Sequence, residues 1–191
     1  MSKFEFIMMF VSVVVAFAMA ELLMSWGRII RNRHRVQQPW LLAGWSLWLL
    51  TIMTYHYLGF WEYQAYDFTR VAPMLLFLAA PIMMVLLTFA LMPEVRHYRT
   101  TNLELHFFQQ KNWFLVMVII FLFLSRASDP LLPDFAYTWP QRMLGTVVVT
   151  LSIIWLLFTR DRKVHFSLMI FNLVYLLAVS LYLPVRGLTA F

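Results

Sequence analysis

The sequence predicts an all-α protein: a polytopic transmembrane helical bundle of six helices, N-out and C-out, in one domain over residues 1–191. Three observations lead there: the composition, six apolar runs, and the placing of basic residues in alternate loops. Of the residues, 62% are hydrophobic and only 13% charged, with mean hydropathy +0.74. A soluble domain carries about 25% charged residues. An apolar excess of this size has no soluble core to occupy, so lipid is the expected solvent. Once the six runs are set aside, no loop is long enough to fold alone.

The spans read as residues 6–26, 40–61, 71–92, 113–132, 143–159 and 166–185. Most reach the length that crosses about 30 Å at about 1.5 Å per residue. The fourth is the short one, strictly apolar only from Trp113 to Leu124 before Ser125 and Arg126. Ala18-Met19-Ala20 has the form of a signal-peptidase site. The long apolar run and the offset of Lys3 by Glu5 favour a retained first helix instead. Pro81 sits inside span three, where it frees the carbonyl of Phe77 and predicts a kink. Pro73 lies near the start of that span, and Asp129 to Asp134 form a proline-stiffened external turn before span five.

Orientation follows from Lys and Arg. Arg28, Arg31, Arg33, Arg35, Arg96, Arg99, Lys111, Arg160, Arg162 and Lys163 follow spans one, three and five; Lys3, Arg70, Arg126, Arg142 and Arg186 fall on the other side. The richer side is expected to be cytoplasmic. Trp26, Trp40, Trp113 and Trp155 fall near that interface, and Trp61 and Trp139 near the opposite one, as aromatic belts do. In the third loop, Thr101-Asn102-Leu103-Glu104 matches a capping box. It predicts an amphipathic cytoplasmic helix over about 102–112, along the headgroups, that either turns into span four or continues as it. Spans one to three and four to six show no similarity beyond hydropathy to mark them as inverted repeats.

The net charge of +6 is explained by orientation, and no basic run is interleaved with exposed aromatics, so no nucleic-acid partner is expected. The absence of cysteine excludes disulfides, thiolate metal sites and cysteine nucleophiles.

The runs Glu21-Leu22-Leu23-Met24-Ser25-Trp26-Gly27-Arg28-Ile29-Ile30-Arg31, Trp45 to Trp48, and Tyr55-His56-Tyr57-Leu58-Gly59-Phe60-Trp61-Glu62-Tyr63 resemble a group of small bacterial integral membrane proteins. The resemblance covers roughly residues 1–90. It implies a multi-pass protein of the bacterial inner (cytoplasmic) membrane and brings no catalytic residue with it.

Depth groups the polar residues, because a polar group in lipid needs a partner at its own level. Glu21 lies about 7.5 Å from the inner end of span one. Thr88, Ser152 and Asn172 fall near that level, giving an inner polar cluster of four. It reads either as hydrogen bonds between helices or as a proton or cation site. His56 lies about 24 Å and Arg126 about 20 Å above the inner edges of their spans. With Tyr55, Glu62 and Asp129 they form an outer polar cluster, read either as a positional ion pair or as part of a solute path. Trp45, Trp48, Ile52, Tyr55 and Gly59 make a packing seam or a stacking surface, and Ser12, Ala16 and Ala20 permit close helix approach within or between chains.

No cofactor or metal site is expected. His56 is the only histidine well inside a span, no span contains a lysine, the other histidines lack metal spacing, and no nucleophile elbow, P-loop or dinucleotide fingerprint occurs. An enzyme is not expected. Two readings remain: a channel or carrier for a small ion or solute, lined by Glu21 and the outer cluster, or a non-catalytic membrane subunit, scaffold or sensor acting through helix contacts. The expected partners are membrane lipids and either further copies of the chain or a membrane complex.

Overall fold

A computed structural model describes residues 2–66, 68, 71–93, 101–131 and 135–182. Arg70, Arg96, Arg99, Arg186, residues 132–134 of the external turn and residues 183–185 of the sixth span lie outside the described residues, as does the side chain of Trp139. The described chain is all-helical apart from one short strand pair. Its six α-helices are α1 (Lys3–Arg31), α2 (Trp40–Gly59), α3 (Val71–Leu91), α4 (Leu103–Ala127), α5 (Phe135–Phe158) and α6 (Arg162–Tyr182).

Helix α1 starts at a capping box: Ser2 Oγ accepts from the Glu5 amide at 3.1 Å, and Glu5 accepts from the Ser2 amide at 2.8 Å. The pattern Ser2-Lys3-Phe4-Glu5 carries that signal in the sequence. The buried positions Phe4, Ile7, Val11, Val15, Ala18, Leu22 and Ile29 recur at helical spacing on one face. The opposite face is apolar too, with Phe6 59%, Phe10 51%, Val13 68% and Phe17 50% exposed. A helix apolar all round and half uncovered is stable in lipid and not in water. The outward faces of α3, α5 and α6 repeat this with Leu75, Phe89, Leu144, Leu151, Phe166 and Val174.

Four helical segments, Lys3–Arg31, Val71–Leu91, Leu103–Ala127 and Arg162–Val179, are long and apolar enough to cross a membrane. The apolar stretch Arg142–Phe158 is shorter. Helix α2, which carries Trp40, Trp45, Trp48, Tyr55, His56 and Tyr57, is not among those four segments. It is the inner helix, packed against α1, α4, α6 and α3. Trp45, Trp48, Leu49 and Met53 are almost wholly buried, and Trp45 meets Phe107 and Phe114 of α4 at centroid distances of 6.3 and 5.6 Å. Around it α3 packs on α1 and α4, and α5 on α4 and α6. Pro81 is buried within α3, which runs on through it.

Contacts place alternate loops at the same end. At one end, called the basic end, Val36–Gln37 (β1) pairs in parallel with Thr101–Asn102 (β2), joining the loops after α1 and α3. Gln38, at φ 52, turns the chain from β1 toward α2. The pair departs from a purely helical expectation because two loops brought together have backbone groups to satisfy. At the other end, the acidic end, Phe4 meets Trp61 at 5.9 Å.

Two expectations near the basic end are corrected. The amphipathic segment 102–112 continues as span four, one of the two courses expected for it, but its apolar face is covered by protein: α4 runs unbroken from Leu103 to Ala127, and Leu103, Phe107 and Lys111 share a buried stripe with Phe114. Burial of those aromatics against α2 overrides the pull of the headgroups. The N-cap is Asn102, whose side chain accepts from the Leu105 amide at 3.0 Å, and Glu104 pairs with Arg162 at 3.3 Å instead of closing a capping box.

The placing of Lys111 in the loop after span three is also corrected. Lys111 is 4% exposed inside α4. Its Nζ donates to the carbonyls of Leu156 (3.1 Å), Leu157 (3.2 Å) and Thr159 at the C-terminus of α5. Those carbonyls have no partner within their own helix, and a cation suits the negative end of its dipole. Lys111→Met keeps the stem and removes the donors. It is expected to lower unfolding stability in detergent by about 2 kcal/mol, while Lys111→Arg retains most of it; equal stability of wild type and Lys111→Met would refute the capping role.

Candidate functional site

At the acidic end the short 3-10 turn Phe60–Tyr63 follows α2, and a second, Asp129–Leu131, follows α4. The end of α4, these two turns and α5 bring four charged groups together. Asp129 is 1% exposed. Its carboxylate meets Arg126 Nη1 at 3.2 Å and Arg142 Nη1 at 3.8 Å, and accepts from the Tyr63 hydroxyl at 3.3 Å. Tyr63 also shares a hydrogen bond of 3.1 Å with Ser128. Burial first, and then the Asp129 carboxylate, hold the Tyr63 hydroxyl above the ordinary phenol range, against the Ser128 bond and the two arginines. Tyr63 therefore remains a neutral donor. Arg142 also forms an ion pair with Glu62.

The outer residues expected from depth divide as follows. Arg126 and Asp129 pair, three residues apart on one helical path. Glu62 is at the same end but pairs with Arg142. His56 packs edge-on against Phe60 at 4.7 Å and Phe121 at 5.5 Å, and its Nε2 is buried without a hydrogen-bond partner among the described residues. Tyr55 lies beside it on the wall of a cavity.

The inner four do not form one cluster. Glu21 accepts from Arg28 at 2.5 Å and Ser25 at 3.2 Å, all on α1. Thr88 donates to the carbonyl of Met84 at 3.1 Å and lies 3.5 Å from that of Ala18, between α3 and α1. Ser152 and Asn172 bond each other across α5 and α6 at 2.9 and 3.0 Å, and Asn172 donates to Leu168 O at 2.8 Å. Equal depth is thus a poor guide to contact: these residues lie at different angles around α2. The Ala18–Thr88 contact sets Glu21 about one turn below, level with the end of α3, where the rest of α1 continues past its neighbour.

Between α2, α4, α5 and α6 lies a cavity of about 110 Å³. Arg126, Arg142 and His56 stand in its walls with Tyr55, Tyr175, Thr146 and Asn172, and Trp48, Ile52, Phe121 and Val149 supply the apolar surface. Gly145 allows Tyr175 to approach, since a Cβ there would overlap the Tyr175 hydroxyl. Of the seam residues, Trp48 and Ile52 are packed as a helix seam requires, and Trp48, Ile52 and Tyr55 line the cavity. Glu21 is not among the walls. The cavity's surface, mostly apolar with a few polar groups, is like that of small-molecule sites, and its volume falls below the range of about 300–1,000 Å³ usual for them.

The sequence reading missed Tyr63, Ser128 and Arg142. Arg142 was the legible one, an arginine directly before an apolar run and so in need of an acid. Asp129→Leu, which leaves two arginines without their shared carboxylate, is expected to cost about 3 kcal/mol of unfolding free energy in detergent. Asp129→Asn, which keeps an acceptor, should cost less; a silent Asp129→Leu would mean that the network contributes nothing to the bundle.

No protein-family model, no curated protein and no solved structure matches this chain.

Proposed function

We propose that this chain is a multi-pass protein of the bacterial cytoplasmic membrane that binds a small solute between α2, α4, α5 and α6, as a carrier or its solute-binding subunit. The observation that carries this reading is the cavity itself, apolar in its bulk and walled by Arg126, Arg142, His56 and Asn172. Ionisable groups inside an apolar bundle are costly, and they concentrate where a ligand or ion path needs them. Carriers hold their cargo near the midplane between helices that can rock against one another. The cavity reaches from the two arginines to Asn172, halfway along α6. Glu21 does not belong to this reading: its pairing with Arg28 on α1 is that of an interfacial acid with a snorkelling arginine.

The six spans are N-out and C-out in this proposal, with the basic end cytoplasmic. The charge distribution supports it, and so do Trp40 (71% exposed), Trp113 (68%) and Trp155 (65%), uncovered where headgroups would lie. The exposed apolar faces take lipid as their partner. A second reading, a non-catalytic subunit, scaffold or sensor or a homo-oligomer, is favoured by α1, where Ala16 and Ala20 are exposed beside Phe17 and would let another helix approach closely.

Orientation is tested by single cysteines in intact cells: Gln64→Cys should react with an impermeant thiol reagent and His34→Cys should not, and the reverse pattern would invert the topology. The cavity is tested with Thr146→Cys in sealed vesicles of both orientations. A carrier gives reaction from both faces. Reaction from one face alone fits a binding subunit, and none from either, as for the lipid-facing control Leu151→Cys, would exclude a solute site.

A further inference from the structure

The cavity combines balanced charge with unused donors, and the two together select a class of occupant. Arg126 and Arg142 are matched by Asp129 and Glu62, so its charged rim is neutral. An anion entering would have to draw an arginine from its carboxylate or add an unbalanced charge in apolar surroundings, and both are costly. A cation would meet the two arginines themselves. Neither charge is favoured.

Hydrogen-bonding capacity, by contrast, is left over. Arg126 Nε and His56 Nε2 are buried and have no hydrogen-bond partner among the described residues. An arginine Nε carries a proton and can only donate; a neutral histidine Nε2 donates in one of its two tautomers. A buried donor without an acceptor costs about 1–3 kcal/mol, so an acceptor supplied by a ligand is worth most at these atoms. Both residues wall the cavity, and the surface between them is aromatic, with Trp48, Phe121 and Tyr175. Flat, weakly polar groups stack well on such walls.

We propose that the cavity binds an uncharged, largely apolar molecule through carbonyl oxygen, which accepts from Arg126 Nε and His56 Nε2. The proposal rests on the solute-binding reading above and names its ligand class. Two membrane components carry this chemistry, the ester carbonyl of a phospholipid and the ring carbonyl of a quinone.

The test uses the full chain in nanodiscs of an ether-linked phospholipid, which has no ester carbonyl, and in discs of its ester-linked counterpart. Tryptophan fluorescence is followed as decylubiquinone is added, then as decyl phosphate, with the same tail and an anionic head, is added in competition. Saturable quenching in ether discs is expected, weakened about tenfold in His56→Phe, the loss of one hydrogen bond. It should be largely restored in His56→Gln, which keeps a donor. Melting of each variant confirms that it is folded. Equal affinity in ester discs assigns the site to a quinone-like ligand; affinity about tenfold weaker there assigns it to the phospholipid ester, and both outcomes support the carbonyl. Displacement by decyl phosphate at lower concentration than the quinone overturns the proposal, as does equal weakening in His56→Phe and His56→Gln. Quenching that never saturates also overturns it. If Thr146→Cys still reacts in that last case, the solute site stands without the carbonyl; if it does not, both readings fall.

Discussion

Asp129 is a carboxylate almost without solvent, yet it meets two arginines and a tyrosine hydroxyl that come from three parts of the chain. Its burial is tolerable only because those donors surround it. Arg126 arrives from the end of α4, Arg142 from α5, and Tyr63 from the turn after α2. Each link therefore fixes the acidic end of one helix relative to another. Glu62 completes the arrangement by taking the remaining side of Arg142. In a bundle immersed in lipid, apolar contact between helices carries no hydrophobic advantage over contact with acyl chains, so polar links of this kind and close packing decide which helices adjoin.

The basic end has a different fastening. Lys111 satisfies the terminal carbonyls of α5 from within α4, and Glu104 reaches Arg162 at the start of α6. The strand pair joins the loops after α1 and α3. Helices α4, α5 and α6 are thus held at both ends or through a shared neighbour, while between the fastenings they stand far enough apart to leave the cavity. The bond between Ser152 and Asn172 closes α5 on α6 along that length. For the solute site proposed above, fixed ends and one internal bond mean preorganisation, which lowers the ordering cost of binding.

The cavity and the ion network share Arg126 and Arg142, and in the proposed reading this connects stability to recognition. An arginine committed to a carboxylate is no free counter-charge for a ligand; it contributes position, and in Arg126 one further donor. His56 is set by aromatic packing instead of by hydrogen bonds, between Phe60 and Phe121. Its ring is therefore placed by shape, and its buried Nε2 has no hydrogen-bond partner among the described residues.

Composition and periodicity by themselves determined the solvent of this protein, the helical class and the approximate positions of its six helices. These depend on local properties: runs of apolar side chains must leave water, and backbone in lipid must bond within itself. The spacing of Arg126 and Asp129 was likewise legible, because residues three apart on a helix are neighbours whatever the rest of the chain does. Helix ends were less so. The boundary at Trp113 placed Lys111 in a loop, since a charged side chain reads as an end until its acceptors on α5 are known. The inner cluster of Glu21, Thr88, Ser152 and Asn172 divides for a related reason, with Ser152 and Asn172 bonded to each other and the other two bonded elsewhere. Sequence gives a residue's height along its own helix and leaves its angle about the bundle open. Which helices adjoin is decided by contacts far apart in the chain: α2 in the centre, α1 away from α5, Arg142 and not Arg126 beside Glu62. Only the tertiary structure could decide those, because each depends on how side chains from separate helices fill the same space.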